Sequence, residues 1–336
     1  MLAIHVRSGS FSDRWVEYCE INKVPFRVVN CLDSDIIDQL RGCNALLWHR
    51  SHQNLAEMRI AIPLLQSLEL MGCRVFPNVK TSWHFDDKLG QKYLFEAAGI
   101  PHPKSYAFFS REEALNWASI TQYPIVFKLA RGSASMNVIL IRDRAHAEWV
   151  IRKSFGAGWK NRHRIHALQE RVWGFKRDRT LKSLVGIGKG AGRFVVPHPT
   201  HRHQGVERGY VYFQTFVPQN DHDIRVMVVG NRAFAVKRMV RGDDFRASSS
   251  GLLIFDRDQI PVESVRVAFD ALRALEAQCL AFDLVCHDGR WEIVEVSYGF
   301  NTAYWNCPGY WDSDLDWHEG PFVAEDFMIE DLMKTL

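Results

Sequence analysis

The sequence predicts a protein of the α/β class, with α+β organisation in its second half, and three observations carry that reading. The first 80 residues alternate short apolar runs with helical patterns, as a parallel sheet covered by helices on both faces requires. Beyond residue 210, strand patterns come in pairs around tight turns, as antiparallel hairpins do. Between these regions lies a strongly basic stretch with no period of its own.

The elements follow in order. Leu2 to Val6 is an apolar strand, and Ser12 is placed to cap a helix through Glu20 with Trp15, Val16 and Cys19 on one face. Phe26 to Val29 is a second strand, a short helix spans about Asp35 to Leu40, and Ala45 to Trp48 is a third strand. Leu55 to Met71 is a longer helix closed by Gly72, and Arg74 to Phe76 is a fourth strand ended by Pro77. A second unit begins near Val79. Residues 85–98 form an amphipathic helix, Ser105 to Phe109 a strand, and Ser110 with Glu113 a capping box for a helix through Ala118. Residues 124–130 are a strand, 131–136 a small-residue loop, 137–141 the returning strand, and Ala145 to Lys153 a helix. A third unit opens with a strand at 210–217. Strands at 223–229 and 233–239 meet at Gly230–Asn231, a helix covers about Val262 to Ala277, and strands at 280–285 and 291–296 flank His287–Gly289. The tail from Tyr298 is rich in Trp, Tyr and Asp, suited to a pocket wall or to core.

Composition narrows the class. With 47% hydrophobic and 24% charged residues in 336, the chain reads as an ordinary globular protein. No apolar run approaches the roughly 18 residues that cross a membrane, and the start lacks a basic region followed by an apolar one, so no signal peptide is expected. Seven cysteines with no C-x-x-C pair read as reduced thiols, and the expected location is cytoplasmic. Fourteen histidines form no H-E-x-x-H pattern, so structural or surface roles are expected. The net charge of +3 conceals an uneven distribution. From Arg152 to Arg208 there are 14 Lys and Arg against Glu170, Asp178 and Glu207, an excess of +11. Such a stretch attracts an anionic partner. Trp159, Trp173 and Phe175 could stack on sugars or bases there. No recognition-helix or zinc-finger pattern supports nucleic acid.

Three constellations carry chemistry. A strand delivers Lys128 to a turn of Gly and Ser whose backbone N–H groups could cradle phosphate, although the order is not that of a P-loop and an ordinary hairpin looks the same. Asp283 and Glu295 sit in neighbouring apolar strands across a tight turn. Two carboxylates there suit a nucleotide-bound Mg²⁺; alternatively, each meets an Arg. Arg225 and Arg238 lie within strands, where guanidinium groups suit phosphate or carboxylate.

In this order the pieces resemble the ATP-grasp superfamily, in its RimK-like branch of carboxylate–amine ligases, over roughly residues 80–305. DDKLGQKYLFEAAGIPHP resembles the helix with the first nucleotide lysine, Lys88, and FKLARGSASMNVIL resembles the strand with the second, Lys128, before a phosphate-covering loop of Gly132, Ser133 and Ser135. FQTFVPQNDHDIRVMVVGNRAFAVKRMVRGDDFRAS resembles the adenine hinge, at Gln214, Thr215, Phe216 and Val217, followed by Asp223 and Arg225 of D-I-R and Arg246 of D-F-R. FDLV with EIVEVSYGFN resembles the metal motif, carried over to Asp283 and Glu295. The family's Asn two residues after that Glu is Ser297 here, and Asn301 stands close enough to substitute. Ala247 and Ser248 replace the family's Ser-Asn.

The resemblance implies an ATP-grasp fold with a pre-ATP-grasp domain over residues 1–80. A lysine-bearing subdomain would cover 81–209, with a basic insertion at about 154–208, and a metal-binding subdomain 210–336. It implies ATP and Mg²⁺ as cofactors. Arg225, Arg238 and Arg246 would stabilise phosphoryl charge, and Asp283, Glu295 and Asn301 would hold the metal. The reaction would join a carboxylate to an amine through an acylphosphate. The chain also looks like ATP-grasp proteins associated with surface-polysaccharide biosynthesis. That favours an acidic substrate such as a uronic-acid saccharide or peptide, and contact with a membrane surface is compatible with it. The alternatives are a non-catalytic relative holding a polyanion, and an ATP-grasp kinase.

Overall fold

The computed structural model describes residues 1–132, 138–159, 205–240, 245–247, 251–302 and 307–336. Most of the basic stretch, Ser133 and Ser135 lie outside the described residues.

Along the chain, β1 (Leu2–His5), α1 (Phe11–Ile21), β2 (Phe26–Val29), α2 (Ile36–Gln39), β3 (Ala45–Leu47), α3 (Leu55–Leu70) and β4 (Arg74–Phe76) alternate as expected. Then come α4 (Val79–Ser82), α5 (Lys88–Ala98), β5 (Ser105–Phe108), α6 (Arg111–Ile120), β6 (Ile125–Lys128), β7 (Ile139–Ile141), α7 (Arg144–Phe155) and β8 (Val211–Thr215). The remainder is β9 (His222–Val229), β10 (Arg232–Met239), β11 (Leu253–Ile254), α8 (Val262–Ala274), β12 (Cys279–His287), β13 (Arg290–Ser297), β14 (Gly309–Asp312), β15 (Trp317–Glu319) and α9 (Ala324–Met333). Two compact units result. One comprises Met1–Phe85, Tyr93–His102 and Gln219–Leu336, the other Asp86–Lys92 and Pro103–Pro218.

In the first unit, β2-β1-β3-β4 form a parallel sheet. Strand alternation covers both faces. Leu2, Ile4, Ala45 and Leu47 pack with Phe11, Trp15 and Cys19 of α1, while Ala3, Leu46 and Val75 pack with Ala61, Leu65 and Leu68 of α3. The cap of α1 differs from expectation. Ser10 is the N-cap, its Oγ accepting the Ser12 N–H, because the Ser12 hydroxyl turns back to donate to the Arg7 carbonyl.

The same unit holds a seven-stranded sheet of order β13-β12-β9-β10-β14-β15, with β11 also on β10. The aromatic tail supplies β14, β15 and α9, none of which the sequence reading placed. Trp311 and Phe322 join the core, and Trp311 packs edge-on against Trp317 at 4.6 Å.

The second unit is a four-stranded sheet, β5-β8-β6-β7. Ile125, Phe127, Val211 and Phe213 pack under Ala114 and Ala118 of α6 and Ala147, Val150 and Ile151 of α7. Period-2 alternation therefore sends Val126, Lys128, Tyr212 and Gln214 to the opposite face. The expected cap holds: Ser110 Oγ accepts the Glu113 N–H at 3.3 Å. All seven cysteines are free thiols.

Candidate functional site

Four adjacent strands of the larger sheet deliver charged side chains to one face. Glu295 on β13 is opposite Asp283 on β12, Asp283 is opposite Arg225 on β9, and Asp223, two residues along β9, is opposite Arg238 on β10. Directly opposed residues share a face, so the register alone assembles the row.

The contacts are specific. Arg225 Nε and Nη2 donate to the two oxygens of Asp283 at 2.7 and 2.8 Å. Arg238 Nε donates to Asp223 Oδ1 at 2.6 Å, and its Nη2 lies 2.5 Å from Asp223 Oδ2 and 3.0 Å from Asp283 Oδ2. Asp223, Arg238 and Asp283 are all under 10% exposed. Burial pushes the Asp283 carboxyl upward, but the Arg225 and Arg238 guanidiniums outweigh it and hold the group below the usual carboxylate range. Burial moves Asp223 the other way, upward, against its single bidentate partner. The sequence left open whether the acids face a metal or an Arg. Here Asp283 faces two.

Among the described residues, no group of three or more His, Cys, Asp and Glu is arranged to hold a metal. Mg²⁺ at a nucleotide needs only one or two carboxylates, because phosphate oxygens supply the other positions. Glu295 and Asp283, neighbours across β12 and β13, fit as hard oxygen donors, although Asp283 already accepts three N–H bonds and keeps about one lone-pair position. Ser297 Oγ donates to the Gly299 carbonyl at 2.9 Å, so its hydroxyl has a structural task. Asn301 is exposed, beyond the end of β13. Arg246 is half-buried, its guanidinium 5.8 Å from the Phe245 ring.

The second unit presents the lysines. Lys128 ends β6 and is 8% exposed; its Nζ donates to Gln214 Oε1 at 2.7 Å, and Gln214 Nε2 in turn donates to Ser105 Oγ. Lys88 begins α5 and is 5% exposed, its Nζ donating to the Gly132 carbonyl at 2.8 Å. Gly132 has φ +129, where a side chain would be strained, and its N–H donates to Asp86 Oδ1. Thr215, Phe216 and Val217 continue half-buried from Gln214. Two buried ammonium groups beside exchangeable neutral acceptors suit the phosphates of a nucleotide. Sequence reasoning did not single out three residues of this neighbourhood: Asp86, which opens the DDKLGQK stretch, and Glu207 and Tyr210, which no local motif marks.

A cavity of about 410 Å³ lies in the first unit, lined by Ser10, Phe11, Asp13, His49, Asn301 and Glu325 among others. It sits beyond the carboxyl ends of β1 and β3, where the order β2-β1-β3 reverses direction, the position at which open parallel sheets bind ligands. His49 Nδ1 accepts the Phe11 N–H at 3.1 Å, and burial pushes its pKa down to about 3, so the ring is neutral.

No protein-family model and no curated protein matches this sequence. Solved structures do resemble it. A RimK-domain ATP-grasp protein from Sphaerobacter thermophilus is 15% identical, with TM-score 0.54 over 98% of each chain. D-cycloserine synthetase DcsG is 16% identical, with TM-score 0.54 over 100% of this chain and 99% of that one. D-alanine–D-alanine ligase from Bacillus anthracis is 13% identical, with TM-score 0.53 over 99% and 97%. Through this likeness, the chain has the ATP-grasp fold.

Proposed function

We propose that this chain is an ATP-dependent ligase that joins a carboxylate to an amine. The observation that carries the proposal is the pairing of an ATP-grasp fold with two buried lysines at a glycine turn, Lys128 leading into it and Lys88 bonded to its Gly132 carbonyl. Structures of the same fold include ligases, and one such ligase was crystallised with ATP. In this reading residues 1–80 form the pre-ATP-grasp part, 81–209 the lysine-bearing part and 210–336 the metal-binding part.

Lys88 and Lys128 bind nucleotide phosphates, and the edge of Gln214 to Val217 takes the adenine. Glu295 and Asp283 would hold Mg²⁺, which would supply neutralisation of phosphate charge. A carboxylate oxygen of the substrate attacks the γ-phosphorus, the bond to the β-phosphate oxygen breaks, and ADP leaves. The amine nitrogen then attacks the acyl carbon and phosphate departs. The nitrogen loses one proton. Arg225 and Arg246 stabilise the transferred phosphoryl group, and Arg238 fixes Asp223 and Asp283. Such chemistry depends on positioning and charge more than on covalent help from the protein. The cavity at His49 and Glu325 is our candidate for an organic substrate, and an acidic saccharide or peptide matches the basic stretch.

The test offers MgATP with pools of amino acids, short acidic peptides and uronic acids, and measures ADP. ADP release that needs both a carboxylate and an amine, and falls at least about 100-fold in Lys128→Met, supports the ligase; release without an amine would mark a kinase. A second reading, a non-catalytic polyanion holder, draws on Ser297 being spent on Gly299. It predicts no ATP turnover and polyanion affinity that falls steeply with salt.

A further inference from the structure

The ladder between β6 and β8 ends at Lys128 opposite Tyr212. Two residues further on, the same register places Ala130 opposite Tyr210. No backbone bond closes that pair. The Ala130 N–H donates instead to the Tyr210 phenol oxygen at 2.8 Å, and the phenol donates to Glu207 Oε2 at 2.9 Å. Ala130 is buried, so its N–H requires a partner.

The carbonyl of the same residue leads to the nucleotide lysine. The Ala130 carbonyl accepts the Lys88 N–H at 2.9 Å, and two residues later the Gly132 carbonyl accepts Lys88 Nζ. Glu207 is itself anchored: its N–H and C=O exchange bonds with Trp159 at 3.0 and 2.8 Å. A continuous path therefore runs from the Trp159–Glu207 bridge through one carboxylate, one phenol and the 130–132 backbone to both polar ends of Lys88. Gly158, at φ +71, admits no Cβ there without meeting Val206 and the Glu207 carbonyl, so the bridge has a fixed seat.

We infer that Tyr210, held by Glu207, is a positioning residue for the nucleotide: it sets the 130–132 segment and through it the Lys88 ammonium. The hydroxyl must both accept and donate. Burial pushes its pKa above the ordinary phenol value, which keeps the donor proton in place. Phenylalanine would keep the ring and lose both bonds. The inference rests on the proposed nucleotide site.

The experiment measures ATP affinity by calorimetry, thermal midpoint, and hydrogen exchange of the Ala130 amide without nucleotide. It compares wild type with Tyr210→Phe, Glu207→Ala, Glu207→Gln and Tyr123→Phe. Tyr123 donates to the Ala118 carbonyl elsewhere in the same unit and serves as a control for a lost tyrosine hydrogen bond. Tyr210→Phe is expected to speed Ala130 exchange and weaken ATP about fivefold or more. Glu207→Ala should do the same in smaller measure, and Glu207→Gln, which still accepts from the phenol, should restore affinity. Tyr123→Phe should lower the midpoint with ATP affinity unchanged. ATP affinity equal to wild type in Tyr210→Phe, or lowered equally in Tyr123→Phe, overturns the inference. Wild-type protein that binds no ATP overturns the nucleotide site itself, while faster Ala130 exchange in Tyr210→Phe would still establish the hydrogen-bond path.

Discussion

Arg238 is the residue on which the charged row depends. It touches both Asp223 and Asp283, so its removal leaves the buried Asp223 without its bidentate partner, while Asp283 keeps only Arg225. Breaking a buried pair from one side typically costs about 3–5 kcal/mol. Arg238→Met is expected to lose that much in urea unfolding, and a loss below 1 kcal/mol would show the row to be solvated. Asp283, held low by its partners, contributes stability that is full above the ordinary carboxylate range and disappears as acid protonates it. The row was half legible. The sequence placed Asp283, Glu295, Arg225 and Arg238 in strands, but pairing of acid with Arg or with metal depends on register, which hydrophobic alternation alone does not give across four strands.

Elements with their own local signals were read closely, and those without were not. Ser110 and Glu113 marked the start of α6, and Ser110→Ala is expected to cost about 1 kcal/mol by thermal unfolding, as lost N-caps do. Gly230–Asn231 marked the β9–β10 hairpin. Gly230 has φ +58, and a Cβ there would meet the Asp331 carboxylate, which also binds Arg232 and Lys334. Gly230→Ala should therefore destabilise more than the usual αL penalty, and Asp331→Ala should relieve part of it. A double-mutant cycle that is purely additive would refute the clash. By contrast, β14 and β15 went unseen because Trp, Tyr and Asp at irregular spacing give no period 2, whereas α9 was missed although its Ala324, Met328, Ile329 and Leu332 follow helical spacing. Ser10 took the cap expected of Ser12 because either serine satisfies the local rule, and the Arg7 carbonyl decides between them.

At the scale of the molecule, buried neutral histidines set the response to acid. His5 Nδ1 accepts the Cys31 N–H and His49 Nδ1 accepts the Phe11 N–H, so a proton on either nitrogen breaks a backbone bond. Burial lowers the pKa of His5, takes His49 to about 3 and takes the fully buried His84 to about 4. Unfolded histidine takes up its proton near pH 6.5, so the stability these groups protect is complete above that pH. It falls below it by up to about 1.4 kcal/mol per pH unit for each histidine. Urea midpoints should decline from pH 6.5 toward 5, and His49→Asn should flatten the decline. A midpoint constant over that interval would count against neutral burial. Fourteen histidines in the sequence gave no sign of which were interior.

The row of charges across β13, β12, β9 and β10 has one more effect, on how the strands find each other. Along β9 and β12 the neighbours of these charges are Ile224, Val226, Phe282 and Leu284, all buried and facing the other way. A slip of one residue in either strand would carry the charged set into that apolar layer and expose the apolar set in exchange. The salt links across the sheet thus act as a key that admits a single alignment of its central strands.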